Sequence, residues 1–132
     1  MACGALAVLA GCGRLDRLEE CRALAAIVNP ELGRIERSIR PSSPAGYRTA
    51  SQAYARLAET LRAPPSSPTQ AQHLVAEYAD LFAEVVAPLG LYADSLEKKK
   101  QREQQSALRA LERIARRQTS LTKRMEAYCL GR

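Results

Sequence analysis

The chain has no tryptophan, one phenylalanine and one histidine among its 132 residues. With aromatics so scarce and no alternating Val/Ile/Thr run, strand signals are nearly missing, which argues against a β architecture. No stretch of about 20 apolar residues is present, so no segment reads as a bilayer-spanning helix. His73 is the single imidazole and no C-x-x-C pair occurs, so the usual zinc spacings are excluded and no metal is expected. There is no G-x-S-x-G, no Gly-rich phosphate loop and no H-E-x-x-H. Ser42, Ser43, Ser66 and Ser67 sit among prolines and read as caps and turn residues rather than nucleophiles. His73 and Glu77 stand one helical turn apart, a spacing that allows proton transfer but more often marks a solvated surface pair. Glu77, Asp80 and Glu84 fall on one helix face without a second carboxylate cluster to build a metal site. A non-catalytic protein without cofactor is the expectation.

What is present is helix-forming: Ala, Leu, Arg, Glu and Gln dominate. Charge is unevenly placed. Residues 12–96 carry 9 basic and 10 acidic side chains, whereas residues 97–132 carry 11 and 4. The formal net charge of +6 therefore belongs to the last quarter of the chain.

Near the start, the apolar run Ala5-Leu6-Ala7-Val8-Leu9-Ala10 leads into Gly11 and Cys12. The order Leu9-Ala10-Gly11-Cys12 resembles the lipobox of bacterial lipoproteins. That resemblance covers residues 5–12 only. It implies a signal segment over residues 1–11, acylation of Cys12, and residence in the bacterial cell envelope. Gly13 after the anchor resembles outer-membrane lipoproteins facing the periplasm more than inner-membrane ones. Met1 to Gly4 hold no basic residue, although export signals open on a basic stretch, so this reading puts the true start upstream of Met1. The partners it implies are the membrane, through the acyl anchor, and an acidic envelope protein or anionic glycans and lipid headgroups.

With Cys3 in the signal segment and Cys12 at the anchor, Cys21 and Cys129 remain, one near each end of the mature domain. An even pair in an exported chain points to a disulfide; two unpaired thiols packed as small hydrophobes are the alternative.

Apolar spacings of three and four residues mark four helices, at about residues 14–40, 44–63, 68–97 and 104–129. The first stripe (Leu18, Cys21, Ala25, Val28, Leu32, Ile35, Ile39) keeps its phase through Asn29-Pro30, which favours one kinked helix over a fresh start capped by Asn29. Ser43 is the expected cap of the second helix, with Pro44 at its first position. Ser67, Pro68 and Gln70 have the capping-box arrangement for the third. Pro88 and Gly90 predict a kink or short break within it. No Gly or Pro marks a turn between residues 97 and 105. One is required nonetheless, because a helix from Leu89 to Cys129 would be about 60 Å long and would overhang the bundle; such an overhang is the alternative.

An up-down bundle of four helices returns its last end beside its first start, bringing Cys21 to Cys129. Three helices would leave them at opposite ends, out of disulfide reach. The fold expected is thus an all-α, antiparallel four-helix bundle, one domain over residues 12–132, closed by Cys21–Cys129.

The last helix supplies the candidate binding surface: Arg109, Arg113, Arg116, Arg117, Lys123 and Arg124 lie mostly off its apolar stripe. Such a face suits anionic lipid, anionic glycan or an acidic protein, or pairs with the acidic third helix, or simply keeps the protein soluble. Nucleic acid is not expected for an exported chain, and no stacking aromatics interleave the arginines. Were the lipobox accidental, a cytosolic helical adaptor or nucleic-acid binder using this helix would be the alternative. Tyr47, Tyr54, Tyr78, Tyr92 and Tyr128 sit on the stripes as core residues with hydroxyls at the rim. Gln118, the polar member of the last stripe, suggests a register-setting contact.

Overall fold

A computed structural model describes residues 9–40, 42–62 and 71–131. The side chains of α1 are described from Asp16 onward. Four helices follow in chain order: α1 (Leu9–Ile39), α2 (Pro44–Arg62), α3 (Gln72–Glu97) and α4 (Gln101–Cys129). They alternate in direction and pack as α1–α2–α3–α4 around a ring. Among the described residues the backbones of the diagonal pairs α1/α3 and α2/α4 do not come close.

Local chemistry sets the joints. Ser43 Oγ accepts a hydrogen bond from the Gly46 N–H at 3.0 Å, and Pro44 opens α2. This is the expected cap: the hydroxyl satisfies a donor that the first turn leaves without a partner, and proline has no such donor to leave. Gly46 is needed there for space. A Cβ at this position would run into the Ser38 carbonyl of α1, so the α1–α2 corner closes only over a residue without one.

The turn from α3 to α4 is tighter than the sequence suggested, and α4 starts at Gln101 rather than near residue 104. Lys99 takes φ 54°, the left-handed conformation that glycine usually supplies. The Lys100 N–H then donates to Ser95 O at 2.9 Å and the Lys99 N–H to Leu96 O at 3.4 Å. That is a Schellman ending built without glycine. Ser95 is fully buried; its carbonyl also accepts from Gln104 Nε2 at 3.1 Å, which pins the first turn of α4 to the end of α3.

Two prolines lie inside helices, Pro30 in α1 and Pro88 in α3. α1 is one helix through Pro30, and it begins at Leu9 rather than near residue 14. α3 is also unbroken at Pro88 and Gly90, so the expected break there is absent. Val85, Leu89 and Ala93 form one buried stripe across the site, and packing on the neighbouring helices keeps the helix continuous despite the lost backbone donor. The expected cap at Ser67, Pro68 and Gln70 lies outside the described residues, as does the expected signal segment up to Val8.

The core centres on the α2–α3 pair, whose contact is the most extensive in the molecule. Buried alanines (Ala50, Ala53, Ala58 and Ala79) bring helices close, while Leu57, Leu81, Phe82, Val85 and Leu89 fill the space between. α4 adds Ala107, Ile114, Leu121 and Met125. From α1, Ile35 alone among the described side chains is buried; Leu24, Val28, Leu32 and Ile39 pack partly exposed against the core. At its other end α1 is joined to α4 by the Cys21–Cys129 disulfide, with the Cα atoms 6.0 Å apart. Four helices, alternating direction and a bond between the first and last are as the sequence implied.

Candidate functional site

The six cations expected to form one surface divide into two groups. The core stripe of α4 runs through Ala107, Ile114 and Leu121. At 3.6 residues per turn, a position two residues further on lies about 200° around the helix. Arg109, Arg116 and Lys123 occupy such positions, and Arg113 falls between them. Arg102, seven residues before Arg109, continues the line. These five side chains are exposed.

Arg117 and Arg124 sit to one side of that line, toward α3. Arg117 forms a bidentate pair with Glu84, and Arg124 does the same with Glu77. Asp80, on the same face of α3 as Glu77 and Glu84, pairs instead with Arg62 of α2 at 3.0 Å. So the acidic helix neutralises two of the six cations and leaves Arg109, Arg113, Arg116 and Lys123 facing solvent. The hydrogen bond from Arg124 holds the Glu77 carboxyl below its usual range, helped by the charges of Arg124 and His73. Both guanidiniums hold their protons more tightly for the same reason. Being exposed, these pairs orient the helices more than they stabilise them. His73 is exposed, and the Glu77 carboxylate beside it is engaged with Arg124.

A small cluster surrounds the disulfide. The Tyr128 hydroxyl donates to Glu20 at 2.9 Å, and Arg17 lies 5.6 Å from the centre of the Tyr128 ring. Burial, then the bond to Glu20, raises the Tyr128 pKa. Past this cluster α1 packs less closely on the bundle, with a groove on each side. One, of 480 Å³, lies between α1 and α4 and has Leu24, Val28, Leu32, Phe82 and Met125 among its walls. The other, of 530 Å³, lies toward the end of α2 and is lined in part by Ile27, Leu61 and Val75. Gln118 faces the first groove.

The tyrosines pack as ordinary core residues. Tyr47 and Tyr92 meet edge to face at 4.9 Å, and Tyr54 and Tyr78 flank Phe82 at 5.6 and 5.8 Å. The Tyr78 hydroxyl shares a hydrogen bond with Thr122 at 3.0 Å, and burial raises the Tyr54 pKa. Cys12, the expected acylation site, lies early in α1; its side chain is outside the described set. Among the described residues no three His, Cys, Asp or Glu side chains group to hold a metal, and no helix is long and apolar enough to cross a membrane.

Sequence reasoning missed Arg102, although its seven-residue spacing to Arg109, Arg116 and Lys123 was there to read. It also missed Ser95, whose role depends on a backbone turn that no residue type announces. Compared with known proteins, the chain matches no family model, no curated protein and no solved structure.

Proposed function

We propose that this chain is an envelope lipoprotein, tethered to the membrane by an acylated Cys12, whose bundle has a structural, assembly or partner-binding role and no catalytic one. The observation that carries the reading is the Cys21–Cys129 disulfide. Such bonds persist in oxidising compartments and are rare in the cytosol, which agrees with the export implied by Leu9-Ala10-Gly11-Cys12. A non-catalytic role is supported by the disposition of polar groups. The charged side chains pair across helices or face solvent, and the 480 Å³ groove is walled mainly by apolar residues. Because α1 is helical from Leu9, the nine residues from Cys12 to Cys21 span about 14 Å, which would keep the bundle near the membrane surface.

Membrane fractionation of the wild-type protein and Cys12→Ser, with intact mass before and after reduction, tests this. An acylated wild type that stays with membranes through a high-salt wash, beside a variant that the wash releases, is expected, with a gain of two hydrogens when the disulfide opens. A soluble, uncleaved, fully reduced wild type would overturn the reading and favour a cytosolic adaptor or nucleic-acid binder working through α4.

A further inference from the structure

We infer that the outer face of α4 docks the bundle, lying on its side, onto an anionic, phosphate-bearing lipid surface through Arg102, Arg109, Arg113, Arg116 and Lys123. The five cations lie along one side of a single unbroken helix, over a length of about 32 Å. The residues interleaved on that side, Gln105, Ser106, Ser120 and Ala127, are small or polar and uncharged. Of the acidic residues on α4, Glu112 flanks the line, and Glu103 and Glu126 point elsewhere around the helix; Glu103 is held by Lys100 at 3.6 Å. Four of the five are arginines, whose planar guanidinium matches two phosphate oxygens at once.

The shape of the face selects the partner. A protein interface draws its energy from a few buried aromatic or apolar anchors in pockets; this side of α4 carries no aromatic residue, and its one described hollow is lined by polar side chains, Arg102, Gln105, Ser106, Arg109 and Arg113. Charge without apolar anchors, spread along one side of a helix, is matched by a fluid layer of headgroups that rearranges to meet each cation. Its axis also sets the orientation: because the line runs along α4, contact along its whole length places the bundle flat, with α2, diagonal to α4, facing away. The proposal rests on the reading that the protein lies at a membrane.

The anchor and the face are separable by experiment. The full-length Cys12→Ser chain, which has no acyl group, is sedimented with vesicles of phosphatidylcholine alone or mixed with phosphatidylglycerol. Binding to the mixed vesicles only, weakening as salt screens the charges, is expected. Each cation removed costs about fivefold in affinity, so Arg109→Gln with Arg116→Gln lowers it about 25-fold. Glu84→Gln with Arg117→Gln leaves the net charge unchanged and takes nothing from the line, and should leave binding within about twofold. Equal binding to both vesicle types, equal loss in the two double variants, or capture of polyglutamate in solution without vesicle binding would each overturn the proposal. A wild type that fractionates with membranes through Cys12 while Cys12→Ser ignores the vesicles would sink the docking face and spare the anchor.

Discussion

α1 and α3 are both long helices with a proline inside and an apolar stripe along one side, yet they are held in opposite ways. α3 lies between α2 and α4 and buries seven side chains, from Ala79 to Ser95. α1 is held most closely at two places: the Ile35 end, where α2 turns back over Gly46, and the Cys21 end, where a covalent bond joins it to α4. Between them Leu24, Val28 and Leu32 are partly rather than fully buried, with a groove on either side. Packing holds α3 along its whole length, whereas α1 is fastened at its ends. An apolar stripe in the sequence therefore records a capacity to bury, and the arrangement of neighbours decides how much of it is used.

The largest effects should come from the side chains that make this contrast. Phe82, 1% exposed, should cost about 3–5 kcal/mol on truncation to Ala. Leu24→Ala should cost less, about 1–2 kcal/mol, because its side chain is only partly buried against the core. Denaturant melts of the two variants compare the helices directly, and equal losses would erase the distinction. Replacing Cys21 and Cys129 together by Ser should cost about 2–4 kcal/mol. Hydrogen exchange should then quicken through residues 16–32 well before it does in α3; uniform quickening would mean that α1 is not separately fastened.

Smaller changes sharpen the picture. Gly46→Ala drives a methyl into the Ser38 carbonyl and should lose about 1–3 kcal/mol, seen as a lower melting temperature. Lys99→Gly relieves a left-handed lysine but frees the unfolded chain, for a net gain of about 0.5 kcal/mol. Glu77→Gln should matter least. Because Arg124 lowers the Glu77 pKa, the carboxylate's contribution is complete above its unfolded pKa. It fades as pH falls through the lower, folded value. The variant should show a slightly shallower acid limb in a stability profile, and added salt should shrink the difference.

Much of the fold was legible. The stripes of α2 and α4, the Ser43 cap and the parity argument that joins Cys21 to Cys129 all rest on spacing and residue type. What was hidden depends on backbone and neighbours. Lys99 carries no mark of its left-handed turn, so α4 began three residues later in the sequence reading than in the structure. Pro88 carries a strong local signal for a break, and packing on both sides of it overrides that signal. The cationic face was legible as composition but not as geometry. Six residues were singled out, of which Arg117 and Arg124 belong to α3 as much as to solvent, while Arg102 completes the line.

The bond between Cys21 and Cys129, 108 residues apart, makes nearly the whole domain a ring. A single backbone cut anywhere inside that ring leaves one covalent molecule, with no fragment released. A protease cutting once would thus add only the mass of one water and release nothing. Only a second cut, or a reductant, would let a piece go.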